Sequence, residues 1–304
     1  MSEIYLVFVV FLFVLAVFDL MVGVSNDAVN FLNSAIGAKV AKFRTIIIVA
    51  AVGVFMGATM SNGMMEVARN GVFHPAMFSL KELMFIFLAV MISDVILLDI
   101  FNNLGLPTST TVSLVFELLG GTTAFVLLKL ANDTTGLTVG DLMNTEKALG
   151  MIMAIFVSVA IAFFFGIVLQ YISRLVFTFT YKKNLKWKIG IFGGVATTAI
   201  FYFMLFKGIK SMSFVTPEIY EYIQNHTLAI LGICFLASTA IMQFLYFLKV
   251  NVFKILVLMG TFALAMAFAG NDLVNFIGVP LAGYSAYTDF AASGASDPST
   301  FMMS

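Results

Sequence analysis

Eight long apolar stretches divide the chain: 4–24, running on weakly to 36; 44–60; 82–104; 106–131; 147–172; 189–207; 228–248; and 252–269, running on to 284. A helix that crosses the hydrocarbon of a bilayer needs about 20 mostly apolar residues. Continuous apolarity is the signal here, not amphipathic periodicity, because lipid replaces water on the outer face. The spacing predicts an all-α, polytopic membrane protein.

Composition narrows the choice further. Of the 304 residues, 61% are hydrophobic and 11% are charged, against about 45–50% and about 25% in soluble domains. Sixteen basic residues balance sixteen acidic ones. This excludes a soluble globular enzyme, a disordered tail protein and a nucleic-acid binder, which needs a basic excess. One cysteine, Cys234, excludes a disulfide framework and a Cys-based zinc site. The two histidines, His74 and His226, lie far apart and do not form a metal-binding tract. No cofactor is called for. The abundant Phe and Met suit lipid-facing and helix-packing positions.

The first stretch, Ile4 to Val24, is apolar except for Asp19, and its only flanking charge is Glu3. It lacks a positive n-region, exceeds the length of a signal-peptide core and has no cleavage pattern after it. It is expected to be a retained first helix.

Lys and Arg in short loops set orientation. The segment 173–188 carries Arg174, Lys182, Lys183, Lys186 and Lys188 without an acid. Lys39, Lys42 and Arg44 cluster after the first stretch, and Lys249 and Lys254 before the last. These three loops are expected in the cytoplasm. The intervening loops are mixed or acidic, with Asp133, Asp141 and Glu146 in one and Glu218 and Glu221 in another. The N-terminus is then outside, in a plasma (inner) membrane.

Stretches 82–104 and 106–131 are either two full spans or one re-entrant hairpin. Their link, Gly105-Leu106-Pro107-Thr108-Ser109-Thr110-Thr111, is short, uncharged and broken by proline. It suits a hairpin tip at membrane depth, where irregular backbone is tolerated inside protein or beside a water-filled cavity. Counting the hairpin gives about seven to eight transmembrane stretches.

Asn26-Asp27-Ala28-Val29-Asn30-Phe31 recurs as Asn271-Asp272-Leu273-Val274-Asn275-Phe276. With the orientation above, the first copy runs outside to inside and the second inside to outside. Such inverted repeats are common in secondary transporters. Residues 1–131 form a first transport repeat with a broken helix and a Ser/Thr hairpin, 132–248 form connecting scaffold helices, and 249–304 begin a second, inverted repeat.

Within each copy the carboxylate and the second Asn lie three residues apart, on one helix face. An Asp at the membrane centre costs roughly 2.5–3.5 kcal/mol on insertion scales, so it needs a partner. Asp and Asn oxygens are hard donors that suit a small hard cation, and Gly and Asn are expected to loosen the helix and free carbonyls. The Thr108–Thr111 run has the opposite character. Its hydroxyls and the free N–H groups at a helix start suit an anion, with Pro107 well placed just before that start.

Gly23-Val24-Ser25-Asn26-Asp27-Ala28-Val29-Asn30, the later Gly270-Asn271-Asp272-Leu273-Val274-Asn275 and the Leu106-Pro107-Thr108-Ser109-Thr110-Thr111 tip resemble the inorganic phosphate transporter (PiT) family over nearly the whole chain. The resemblance implies sodium- or proton-coupled uptake of inorganic phosphate by alternating access. It places coupling cations on Asp27, Asn30, Asp272 and Asn275, with Asn26 and Asn271 in support, and phosphate on Ser109, Thr110 and Thr111. The partners expected are phosphate, sodium or a proton, and the lipid bilayer, with no nucleic acid; a homodimer is compatible with the sequence. The family has a Pro-x-Ser-Thr-Thr hairpin after each Asn-Asp motif. Here 28 residues follow Phe276, and Asp297-Pro298-Ser299-Thr300 comes too early to be the second tip. The second repeat, and with it half of the anion site, is expected to be cut short, which would leave this chain inactive or poorly active alone.

Competing readings are a sulfate or other oxyanion permease of the same fold, an ion channel, and an intramembrane aspartyl protease. No selectivity-filter repeat supports the channel, and the protease's Gly-x-Gly-Asp signature is missing. Asp94, Asp99 and Glu117 are candidates for cation ligands or for partners of the hydroxyls. Asp19 is a weaker candidate.

Overall fold

Every apolar stretch forms a helix. The computed structural model describes residues 2–59, 72–132, 136–178, 185, 187–208, 216–295 and 297–302. In chain order the helices are α1 (Ser2–Gly37), α2 (Phe43–Thr59), α3 (Leu80–Leu104), α4 (Thr110–Ala131), α5 (Thr145–Phe177), α6 (Lys188–Gly208), α7 (Pro217–Asn225), α8 (Thr227–Phe247), α9 (Val252–Asn271) and α10 (Leu273–Ser293). Single turns lie at Pro75–Met77 and Val139–Leu142. Six helical segments among the described residues are long and apolar enough to cross a membrane, with α9 and α10 counted as one. Helix α2 and the apolar part of α6 are shorter.

Three differences from the sequence reading have physical causes. The stretch 252–284 is two helices, because backbone regularity is lost at Asp272. Helix α7 lies where an acidic loop was expected. Thr216 accepts a hydrogen bond from the Ile219 N–H at 3.4 Å and Pro217 fills the first turn, a cap-and-proline start. Helix α1 is unbroken through the first Asn-Asp motif.

The chain divides into two compact units. The first comprises residues 1–29, 63–157 and 271–304. Its core joins α1, α3, α4 and α10 through Leu12, Phe87, Met91, Leu118 and Val279. Helices α1 and α10 pack closely: a methyl group on Gly283 would meet Leu12, and one on Gly23 would strike the Phe276 ring. The rings of Phe13 and Tyr284 lie 6.4 Å apart. As numbers rise along α1 from 13 to 23, the partners on α10 fall from 284 to 276. The two helices that carry the Asn-Asp copies therefore run antiparallel.

Helix α3 opens with a capping box. Ser79 Oγ accepts from the Glu82 N–H at 3.3 Å, and Glu82 accepts from the Ser79 N–H at 2.8 Å. Lys129 of α4 closes on Glu82 at 3.0 Å. The Leu80 and Lys81 N–H groups donate to the Phe301 and Pro298 carbonyls. The Asp297–Thr300 segment thus sits at the start of α3, the far end of that helix from the Thr108–Thr111 tip.

The second unit comprises residues 30–62 and 158–270. Gly53 and Gly57 of α2 leave room only for backbone contact with Phe262 and Met266 of α9, the close approach that small-xxx-small spacing permits. Gly190, Gly193 and Gly194 of α6 instead make room for the side chains of Gln243, Met242 and Thr239 of α8. Phe177, Phe192 and Phe253 form an aromatic trio with centroids 4.9–6.0 Å apart. The two basic turns here share one geometry: Lys39 and Lys249 each adopt a positive φ (50° and 60°) and end a helix. Of the basic segment 173–188, Arg174 and Lys188 are described, whereas Lys182, Lys183 and Lys186 lie outside the described residues.

Candidate functional site

The site is built around the tip between α3 and α4. Gly105 ends α3 in the left-handed region (φ 67°), which no other residue type adopts as cheaply. The chain then crosses to Ser109, which caps α4 by accepting from the Val112 N–H at 3.4 Å.

Asn26 holds the tip against α1. Its Oδ1 accepts from the Thr108 N–H at 2.9 Å, and its Nδ2 donates to the Leu106 carbonyl at 3.0 Å and to Asn102 Oδ1 at 3.4 Å. Asn102 returns a bond from its Nδ2 to the Val22 carbonyl at 3.1 Å. This explains why α1 stays whole. An Asn destabilises a helix when its side chain competes for local backbone; here the side chain is spent on another segment. The expected release of α1 carbonyls does not occur.

The next two tip residues face the two copies of the motif. The Thr110 side chain lies beside the Asp27 carboxylate. Thr111 Oγ1 donates to Asp272 Oδ1 at 3.0 Å and accepts from Asn275 Nδ2 at 2.9 Å. Asp27 and Asp272 lie within electrostatic reach of each other. Asp27, Thr110 and Asn275 are buried, with 4%, 1% and 1% of their surface exposed. Asp272 lies between α9 and α10 in right-handed geometry (φ −100°, ψ −33°), and its carbonyl accepts from the Asn275 N–H at 3.0 Å, so the irregularity is confined to one turn.

The structure therefore brings together Asn26, Asp27, Thr110, Thr111, Asp272 and Asn275. Ser109 is exposed and serves as the α4 cap. Asn30 lies three residues beyond Asp27, where α1 passes into the second unit, and is exposed. The Asn271 side chain lies outside what is described. Among the described residues no group of three His, Cys, Asp or Glu side chains is placed to hold a metal ion. The convergent donors are instead a mixed set of carboxylate, amide and hydroxyl.

A model of the phosphate transporter family, PHO4, matches residues 23–304. The chain belongs to the phosphate transporter family. It is an integral membrane transporter and not an enzyme. Among solved structures, one titled "The sodium-dependent phosphate transporter" superposes with a TM-score of 0.70 at 18% identity, over 98% of this chain and 71% of that one. At that identity the likeness shows a common fold. No curated protein sequence matches the chain at significance.

In this family member, sequence reasoning missed Asn102. The signal was an Asn-Asn pair in an apolar stretch just before the tip. Ser113 Oγ lies 2.5 Å from Asp94 Oδ1 and 2.9 Å from Glu117 Oε1, with one hydroxyl hydrogen to share between them, which makes both acids partners of a hydroxyl. Asp99 accepts locally from Asn103 at 3.1 Å and stands apart from that group.

Proposed function

We propose that this transporter carries inorganic phosphate across the membrane together with a cation, sodium in the first instance, by alternating access. The reading rests on one observation: adjacent hydroxyls, Thr110 and Thr111, reach the carboxylates of both motif copies. A cation between Asp27 and Asp272 offsets their mutual repulsion in a low-dielectric site. It also competes for Asp272 Oδ1, so Thr111 can turn its hydroxyl toward a phosphate oxygen at the start of α4. The free N–H groups and dipole of that helix favour the anion. Binding is then ordered, cation before phosphate. The structural neighbour is a sodium-dependent transporter, which supports the choice of ion. The basic turns support a plasma-membrane orientation with the N-terminus outside and 173–188 in the cytoplasm.

The test is uptake of labelled phosphate by liposomes holding the full chain; against the sequence expectation of a chain poorly active alone, the convergence of both motif copies on the one tip supports uptake. An inward sodium gradient should drive accumulation, a proton gradient should drive less, and excess sulfate should compete weakly. Uptake indifferent to any cation gradient, or currents far above carrier turnover, would overturn the reading.

A further inference from the structure

Two helical turns before Asp27, about 12 Å along α1 at 1.5 Å per residue, lies a second group of acids. Asp19 is halfway along α1, Asp94 is in the second half of α3, and Glu117 is in the third turn of α4. Asp19 is completely buried and Asp94 is 1% exposed. The three carboxyls face one another: Asp94 lies within hydrogen-bonding reach of both Asp19 and Glu117. Ser113 donates its single hydroxyl hydrogen within the group.

The donors do not suffice. Neither Asp19 oxygen, nor Glu117 Oε2, receives a hydrogen bond from any described group. Asp19 therefore presents two fully buried acceptors to a neighbour, Asp94, that when ionised is also only an acceptor. Two acceptors at hydrogen-bonding distance attract only if a hydrogen lies between them. Among the described residues no basic side chain supplies the charge. Lys129, on the same helix as Glu117, is engaged with Glu82 near the far end of α4. The other charged groups in electrostatic reach are also acids: Asp27 interacts with Asp94, and Asp272 with Asp27. Like carboxylates sharing a buried site cannot all ionise. A metal ion is a poor solution, since these acids are not placed as a metal-holding group.

We infer that Asp19, Asp94 and Glu117 form a proton-binding site within the first unit, distinct from the Asn-Asp motifs. A proton held between Asp19 and Asp94 supplies a missing hydrogen, and the Ser113 hydroxyl lies against Asp94 Oδ1 and Glu117 Oε1. The inference stands independently of the coupling ion chosen above.

Infrared spectroscopy of the full chain in lipid tests it without requiring transport. The wild-type chain at neutral pH should show the carbonyl stretch of a protonated carboxylic acid, shifted in heavy water. Asp19→Asn should remove that band, since the amide N–H₂ itself donates to Asp94 and no proton is needed. Asp27→Asn should leave the band in place, and sodium should not alter it. Thermal unfolding provides a second readout: Asp19→Asn should keep wild-type stability, whereas Asp19→Ala should lose it. A wild-type spectrum without the acid band, a band that sodium abolishes, or a band unchanged in Asp19→Asn would overturn the inference.

Discussion

The Thr111 hydroxyl donates to the Asp272 carboxylate at 3.0 Å and accepts from Asn275 at 2.9 Å. One side chain on the hairpin tip thus ties down both polar ends of the second Asn-Asp copy. Replacing it with valine keeps the shape and deletes the link. Leaving a buried donor unsatisfied costs about 1–3 kcal/mol, and Asn275 already has an Oδ1 without a partner. Thr111→Val should therefore lower thermal stability by that amount and weaken phosphate binding more than tenfold, whereas Thr111→Ser should stay near wild type. Calorimetric titration of phosphate against both variants checks this, and equal affinity in Thr111→Val would remove the hydroxyl from the site.

Asn26 makes its contribution through three bonds to the tip and its flank, none of them to α1 itself. Asn26→Leu strands the Thr108 N–H and the Leu106 carbonyl, and should cost about 2–4 kcal/mol from two unmet polar groups. Because Asn102 shares the network, a cycle of Asn26→Leu and Asn102→Leu should be non-additive by about 0.5–3 kcal/mol. Thermal midpoints of the four detergent-purified proteins measure the coupling, and strict additivity would mean the two amides act independently.

These two residues also show how much the sequence could reveal. The repeat, the apolar stretches and the uncharged tip were legible because each depends on local chemistry: scarce polar types inside apolar runs, and a proline-broken link. Which copy breaks its helix was not legible. Asn26 and Asp272 sit in near-identical hexapeptides, yet α1 runs through its copy while the chain breaks at Asp272. The Asn26 amide finds its partners on a tip 80 residues away, and no local pattern encodes that. Helix α7 was a different case. Thr216-Pro217-Glu218 is a legible start signal, but the nine-residue helix it opens is too short and too polar to stand out as a span.

Outside the membrane segments, Asp141 is held below its ordinary pKa of 3.8, chiefly by the Thr138 hydroxyl and then by the Thr138 N–H, at 2.7 and 2.8 Å. A depressed folded-state pKa adds stability that is present above the unfolded value and is lost as pH falls through the folded one. Thr138→Ala should raise the Asp141 pKa toward 3.8, and its small stability cost should be seen at neutral pH and vanish in strong acid. Titration of the labelled Asp141 carboxyl carbon by magnetic resonance reads the shift directly. An unmoved pKa would show that the hydroxyl does not bond the carboxylate.

The approach of α1 to α10 depends on Gly23, three residues before the first motif. A Cβ there would overlap the Phe276 ring, which is fully buried at the end of the second motif copy. Gly23→Ala gains helix propensity, worth about 0.8–1 kcal/mol. It must also displace a ring in a packed core, which costs about 1–3 kcal/mol or more, so the clash should win and the variant should be less stable. Moving the ring also shifts Asn275, its neighbour in sequence, away from Thr111, so cation and phosphate binding should weaken together. Phe276→Leu alone leaves a small void and should destabilise modestly. In the double variant the smaller side chain admits the new methyl, so Gly23→Ala with Phe276→Leu should be more stable than the sum of the single effects allows. Thermal unfolding of the three variants measures this interaction energy. If Gly23→Ala proves neutral by itself, the two helices do not need this contact, and the antiparallel packing that brings both Asn-Asp copies to one hairpin tip must be held elsewhere.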